Sequence, residues 1–258
     1  MVPDFSTVWL FRDRLIESGR SQDLWNELQK QMEEKGYAVK EGSIQDATFI
    51  TSDPGKKRKK KDQEGESKKE DQDSKAVKLS QIQDFDTELF DISINIINGL
   101  AKPTISDETP RNEGSWAKKG VKSFFGYKGH ILIDTDNHLI RDVETTTASV
   151  HDSQIDLGIE DIPRYADKGY DGAKTRGYDG AMKKATRGHK LGIKDIHRNK
   201  RISKKRSHIE RCFAVMKRAH RAGHVLVTTV ARAGVKFMMS SFVYNLVQLR
   251  HLAHKTLT

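Results

Sequence analysis

Between Arg201 and Arg221 the chain reads RISKKRSHIERCFAVMKRAHR, with eight Lys or Arg and one acid, Glu210. At helical periodicity Arg206, Glu210 and Lys217 fall on one face. Ile209, Phe213 and Met216 form an adjacent apolar stripe that can hold the helix to a core. Taken alone, the stretch is a basic surface helix with an ordinary Arg–Glu pair. A second reading puts the acid there to work beside a polyanion, and two further acids bear on that choice.

Asp46 interrupts Gly42-Ser-Ile-Gln-Asp-Ala-Thr-Phe-Ile-Thr51, a strand candidate in which Ile44, Asp46, Thr48 and Ile50 alternate onto one face. An acid inside such a strand is disfavoured by propensity. Asp167 ends the short strand candidate Arg164-Tyr-Ala-Asp167, just before Lys-Gly-Tyr170. Strand carboxyl ends are where open α/β sheets place their chemistry. Three carboxylates suit phosphoryl transfer. Two divalent ions about 3.5–4 Å apart activate an attacking oxygen and stabilise the leaving one. Mg²⁺ takes hard oxygen ligands and keeps several waters, so two or three carboxylates with the scissile phosphate suffice. Neighbouring Arg and Lys would hold the phosphate backbone by charge and by bidentate contacts.

The elements that must position these groups follow in chain order. Residues 3–40 read as short helices, with Asp4 or Ser6 capping the first over Val8, Leu10, Phe11 and Leu15, and Ser21 or Asp23 capping the second up to Gly36. After the Asp46 strand, residues 53–75 are almost entirely charged and read as a disordered insertion. Residues 76–100 regain apolar content and suggest one or two helices, and 101–119 read as loop. Ser123–Asp134 and His138–Thr147, joined by Thr135-Asp-Asn137, form an antiparallel hairpin. A short helix begins near His151, with Asp152 or Ser153 as its cap. Residues 173–200 are basic and glycine-punctuated, with a helix and a short strand at Lys190–Ile193. Ala231–His254 is an apolar helix with coverage wide enough to predict burial. Lys128 and His130 lie on the first hairpin strand, where they could face a phosphate backbone. Tyr165, Tyr170 and Cys212 read as packing residues.

Composition narrows the partner. The chain has 258 residues, a formal charge of +10 and 32% charged residues. That favours a polyanion, nucleic acid ahead of an anionic membrane surface. The sequence has no apolar run long enough for a membrane span and no secretory signal pattern. Its single cysteine, Cys212, rules out an intrachain disulfide or a thiolate zinc cluster and fits a reducing cytoplasm.

Four blocks, in order, resemble a DDE transposase of a bacterial or archaeal insertion sequence. They are IQDATFI, FFGYKGHILID followed by TTTASVHDS, ADKGYDG at Ala166–Gly172, and the basic helix. That helix is similar to the pattern Tyr-x2-Arg-x3-Glu-x6-Lys, met by Arg206, Glu210 and Lys217, with Ser203 where the pattern has tyrosine. The resemblance covers residues 3–51 and roughly 116–250. It implies an α/β fold with a ribonuclease-H-like mixed five-stranded sheet flanked by helices. Asp46 would sit on the central strand, Asp167 at the end of the fourth, and Glu210 on the following helix. The domains would be an N-terminal helical segment at 1–41, a shortened end-recognition region. A catalytic domain would follow at 42–52 and 116–258, with the charged insertion at 53–115.

The same resemblance implies metal-dependent cleavage of transposon ends, followed by attack of the freed 3′-hydroxyl on target DNA. Asp46, Asp167 and Glu210 would be catalytic metal ligands for two Mg²⁺, with Mn²⁺ able to substitute. Arg206 and Lys217 would contact DNA phosphate or position the catalytic residues, and Lys204, Lys205, Arg211 and Lys128 would contact DNA. The partners would be transposon-end and target DNA, with a homodimer in a synaptic complex, in the cytoplasm at the nucleoid. One alternative is a decayed or domesticated copy that binds DNA without catalysis. Another is a nuclease with the same core.

Overall fold

A computed structural model describes residues 4–54 and 112–256. The expected charged insertion and its KKRKKK block lie almost wholly outside those residues, as do the helices suggested at 76–100. The described elements are α1 (Phe5–Glu17), α2 (Ser21–Glu34), β1 (Ser43–Ser52), β2 (Ser115–Lys119), β3 (Lys122–Asp134), β4 (Ile140–Thr147), β5 (Pro163–Ala166), β6 (Tyr178–Ala181), α3 (Ile193–Arg218), β7 (His224–Val225) and α4 (Val230–Thr256). Single 3-10 turns occupy Asp152–Gln154 and Lys168–Tyr170. Among the described residues no helix is long and apolar enough to cross a membrane.

The sheet is mixed, in the order β2-β3-β1-β5-β6, with β4 also on β3 and β7 also on β1. β1 is central. It runs antiparallel to β3 from Ser43–Asp134 to Thr51–Gly126, and parallel to β5 at only two positions, Ser43–Arg164 and Ile44–Tyr165. β3 and β4 make the predicted hairpin, turning at Thr135-Asp136-Asn137, where Asp134 accepts from the Asn137 amide. β5 and β6 run parallel.

Helices α3 and α4 close the face of the sheet that carries Ile44 and Asp46. Ile44, Ile50, Ile131 and Ile133 are buried there, as are Ile209 and Met216 of α3 and Phe237 of α4. The predicted anchoring stripe of α3 is therefore buried, together with Ile202 and Cys212. Gly129 on β3 lets Phe237 lie against the strand, since a Cβ at Gly129 would come within 2.4 Å of its ring. α2 buries Leu24, Trp25, Leu28 and Met32, and Trp25 Nε1 donates to the Arg141 carbonyl of β4 at 3.3 Å.

Several local expectations are corrected. β2 lies in the stretch read as loop, held by a ladder to β3 that short-range pattern does not reveal. The strand after Gly172 is Tyr178–Ala181, not Lys190–Ile193. α3 begins at Ile193, eight residues before the basic stretch. Its first turns, IKDIHRNK, lack a continuous apolar stripe, and Gly192 caps them without a side-chain bond. Asp4 does cap α1, accepting from the Thr7 amide. At α2 the cap is Arg20, with no side-chain bond. The turn at Asp152 is capped by His151, whose ring accepts from the Ser153 amide. α4 is not buried all round: Val243 and Val247 are exposed.

Candidate active site

Asp46 and Asp167 meet because of strand register. Ile44 pairs with Tyr165, and that is the last pair between β1 and β5. Two residues further along each strand, on the same face, stand Asp46 and Asp167. The pairing of β1 with β5 ends before them, and the crevice is the place between the two acids at the carboxyl end of β5. Asp46 is held in mid-strand opposite Ile131. Asp167 follows the last residue of β5 and caps the turn Lys168–Tyr170.

Two carboxylates side by side would repel, and Arg206 of α3 lies between them. Its Nη2 donates to Asp46 Oδ2 at 2.7 Å, and its Nη1 is 3.4 Å from Asp167 Oδ1. Arg206 is nearly buried (11% side-chain exposure), Asp46 is 21% exposed and Asp167 half exposed. Burial raises the Asp46 carboxyl above its ordinary range, the Arg206 charge and the Ala47 amide pull it down, and the upward effect prevails. Arg206 Nε is buried without a partner.

Glu210, one turn further along α3, is exposed. Among the described residues no three His, Cys, Asp or Glu side chains are gathered closely enough to hold a metal ion. Of the three expected acids, two are therefore brought together through Arg206, and Glu210 stands outside that pair. The donors of the pair are carboxylate oxygens, the type a hard cation takes, and the Arg206 guanidinium holds the space between them.

The expected DNA-contacting residues divide. Lys204 and Arg211 are exposed on α3. Lys205 is exposed and donates to the Tyr165 hydroxyl at 3.0 Å, with its ammonium 4.4 Å from the centre of that ring. Lys217 is exposed, with its stem along Gly223, and partial burial followed by the nearby Lys119 lowers its pKa. Lys128 is turned inward. Its Nζ donates to the Val150 carbonyl at 2.5 Å and to Asp152 at 2.7 Å, so a strand position expected to face DNA is occupied with internal bonds. His130 is also buried and bonds Thr146. Tyr170 and Cys212 pack as expected, and burial pushes the Cys212 thiol up to about 12, which leaves it inert.

Residues 104–246 match the model of the family described as "Transposase DDE domain". That is more than half of the chain. The chain belongs to this DDE transposase family. The match includes Asp167, Arg206 and Glu210 and begins after Asp46. The chain is also similar to the transposase for insertion sequence element IS1106 of Neisseria meningitidis serogroup B. The two are 25% identical over 254 residues, covering 92% of this chain and 76% of that protein. No solved structure matches. A DDE transposase is a DNA-cleaving and strand-transferring enzyme, so the crevice between β1 and β5 is its candidate active site. Of the two roles expected for Arg206, contact with DNA phosphate or positioning of the acids, its bridge to both aspartates has the geometry of the second. The signal available in the sequence was the place of Arg206 one turn before Glu210.

Proposed function

We propose that this transposase cuts the ends of its element and joins them to target DNA at the Asp46–Asp167 crevice. The observation that carries the reading is the bridge from Arg206 to both aspartates. It marks a position where the fold holds two carboxylates beside a cation. In this reading Asp46 and Asp167 hold divalent metal, Mg²⁺ or Mn²⁺, with Glu210 supplied from the next turn of α3. Bound there, the metal would activate the attacking oxygen and stabilise the departing one. The chain's own residues do the rest. Asp46 and Asp167 fix the position along the sheet, Arg206 balances their charge, and Lys204, Lys205, Arg211 and Lys217 seat the phosphate backbone. Water would open the phosphodiester at the element's end and leave a 3′-hydroxyl. That hydroxyl would then displace a 3′-oxygen from target phosphate.

The order β4-β3-β1-β5-β6 supports a ribonuclease-H-like core. A hairpin lies antiparallel to a central acidic strand, and two parallel strands lie on its other side. The strands β2 and β7 would be additions to it. The N-terminal helices would assist end recognition, residues 53–115 would be an insertion, and two copies would act together on paired ends. The test is incubation of the protein with DNA carrying the element's own termini. Mg²⁺-dependent nicking at the termini and joined products are expected, both lost in EDTA. Tight binding with no cleavage in Mg²⁺ or Mn²⁺ would favour a copy that only binds DNA.

A further inference from the structure

Beside the crevice lies an open groove of about 330 Å³ between the edge of the sheet and the first half of α3. Its floor is Pro163, Tyr165, Tyr178 and Gly180, and its wall is Arg198, Arg201, Ile202 and Lys205. The floor follows from register. Pro163 pairs with Tyr178 and Tyr165 with Gly180, and paired residues share a face of the sheet. Tyr165 is fixed in place. A Cβ at Gly42 or at Gly180 would each come within 2.9 Å of its ring, so the ring lies where only glycines leave room. Lys205 covers Tyr165 from above. Tyr178 is different: it is 62% exposed on the edge strand.

Charge in the groove is arranged for an anion. Arg198 is pinned by donating to the Ala181 carbonyl at 2.6 Å and to the Asp179 carbonyl. The acid of the groove, Asp179, accepts from the Ala181 amide at 2.9 Å and lies 4.0 Å from the buried Arg164, which offsets its charge. Arg201 and Lys205 are exposed on the wall. The groove neighbours the two aspartates along the chain: Tyr165 precedes Asp167 by two residues, and Lys205 adjoins Arg206 on α3.

We infer that this groove binds an unpaired nucleotide of the DNA strand entering the active site, its base stacked on Tyr178 and its phosphate against Arg201 and Lys205. An exposed aromatic ring beside cations, on a rigid floor, is the combination that single strands recognise without regard to sequence. The inference rests on α3 being the DNA-facing helix.

The test is fluorescence anisotropy with a short oligothymidylate and an abasic oligomer of the same length and charge, on the full chain. Tyr178→Ala is expected to weaken the base-bearing oligomer about tenfold and leave the abasic one unchanged. Tyr178→Phe keeps the ring and should bind as wild type, while Arg201→Ala should weaken both oligomers. Equal affinity of wild type and Tyr178→Ala for oligothymidylate would overturn the inference, as would equal weakening of both oligomers. So would loss of self-association on Tyr178→Ala, seen by sedimentation, with DNA binding intact, which would assign the edge to a second copy. If duplex DNA still binds the wild type in a salt-sensitive way, such results remove only the groove. If the wild type binds neither duplex nor single strand, the reading of α3 fails with it.

Discussion

Arg206 Nη2 donates to Asp46 Oδ2 at 2.7 Å, across a crevice that Asp46 shares with Asp167. The contact ties the basic helix to the central strand just past the last pair between β1 and β5. It also makes a prediction about stability. Arg206→Met would leave a mostly buried carboxylate without its partner and cost about 2–3 kcal/mol, somewhat less than breaking a fully buried pair. Added Mg²⁺ should raise the melting temperature of Arg206→Met more than that of the wild type, because the metal would supply the missing charge. A metal-free melting temperature equal to wild type would show that the bridge is idle.

Glu210 should behave in the opposite way. It is exposed, so Glu210→Gln should leave stability within about 0.5 kcal/mol of wild type. If Glu210 completes the metal site, cleavage should fall by about two orders of magnitude or more, since metal ligation contributes several kcal/mol to the transition state. Cleavage at the wild-type rate would remove Glu210 from the catalytic set.

His130 supplies a pH dependence. Burial, which outweighs the opposing pull of Asp152, lowers its pKa from 6.5 to about 4. The ring lies 3.0 Å from the Thr146 hydroxyl through Nε2, and Nδ1 is buried without a partner, so a second proton would have no acceptor. The folded value is below the unfolded one, so its stabilising contribution is full above about pH 6.5. It is lost progressively as pH falls from about 6.5 to about 4, in total about 3 kcal/mol. Urea titrations across that range should show the loss, and His130→Gln should flatten the slope. An unchanged slope in the variant would assign the pH response to other groups.

Gly129 and Phe237 form a packing pair. Gly129→Ala would press a methyl group into the Phe237 ring and cost about 1–3 kcal/mol. Phe237→Leu in the same chain should recover part of that loss, and a double-mutant cycle would measure the coupling. Additive losses would mean that α4 shifts away from the strand without strain.

Salt would report the basic helix. Affinity for duplex DNA should fall steeply and linearly with log salt, and Lys204→Ala together with Arg211→Ala should reduce the slope by about 2. A slope unchanged from wild type would place the phosphates elsewhere.

Much of this was legible in the sequence because the pattern is local. Period-two alternation marked Ile44 to Ile50, the turn residues marked the β3–β4 hairpin, and the stripe Ile209, Phe213, Met216 marked the buried side of α3. What stayed hidden depends on partners distant in sequence. β2 exists because Ser115–Lys119 finds β3, and nothing in SWAKK says so. Lys128 looked available for DNA until the Val150 carbonyl and Asp152 arrived beneath it. The Asp46–Asp167 pairing is a consequence of a two-residue parallel ladder, and sequence separation carries no information about that. The direction of the Arg206 side chain, inward to the aspartates, is likewise set by how α3 packs on β1 and β5.

The central claim is that Asp46 and Asp167 are the metal-holding pair of this transposase. The most direct measurement is single-turnover cleavage of end-bearing DNA in Mg²⁺ by Asp46→Asn and by Asp167→Asn, each checked for fold by circular dichroism and for DNA affinity. The account predicts that both variants fold and bind DNA, and that both lose about two orders of magnitude or more in cleavage rate. Cleavage within about tenfold of wild type by either variant, a difference of only about 1.4 kcal/mol in barrier, would contradict it.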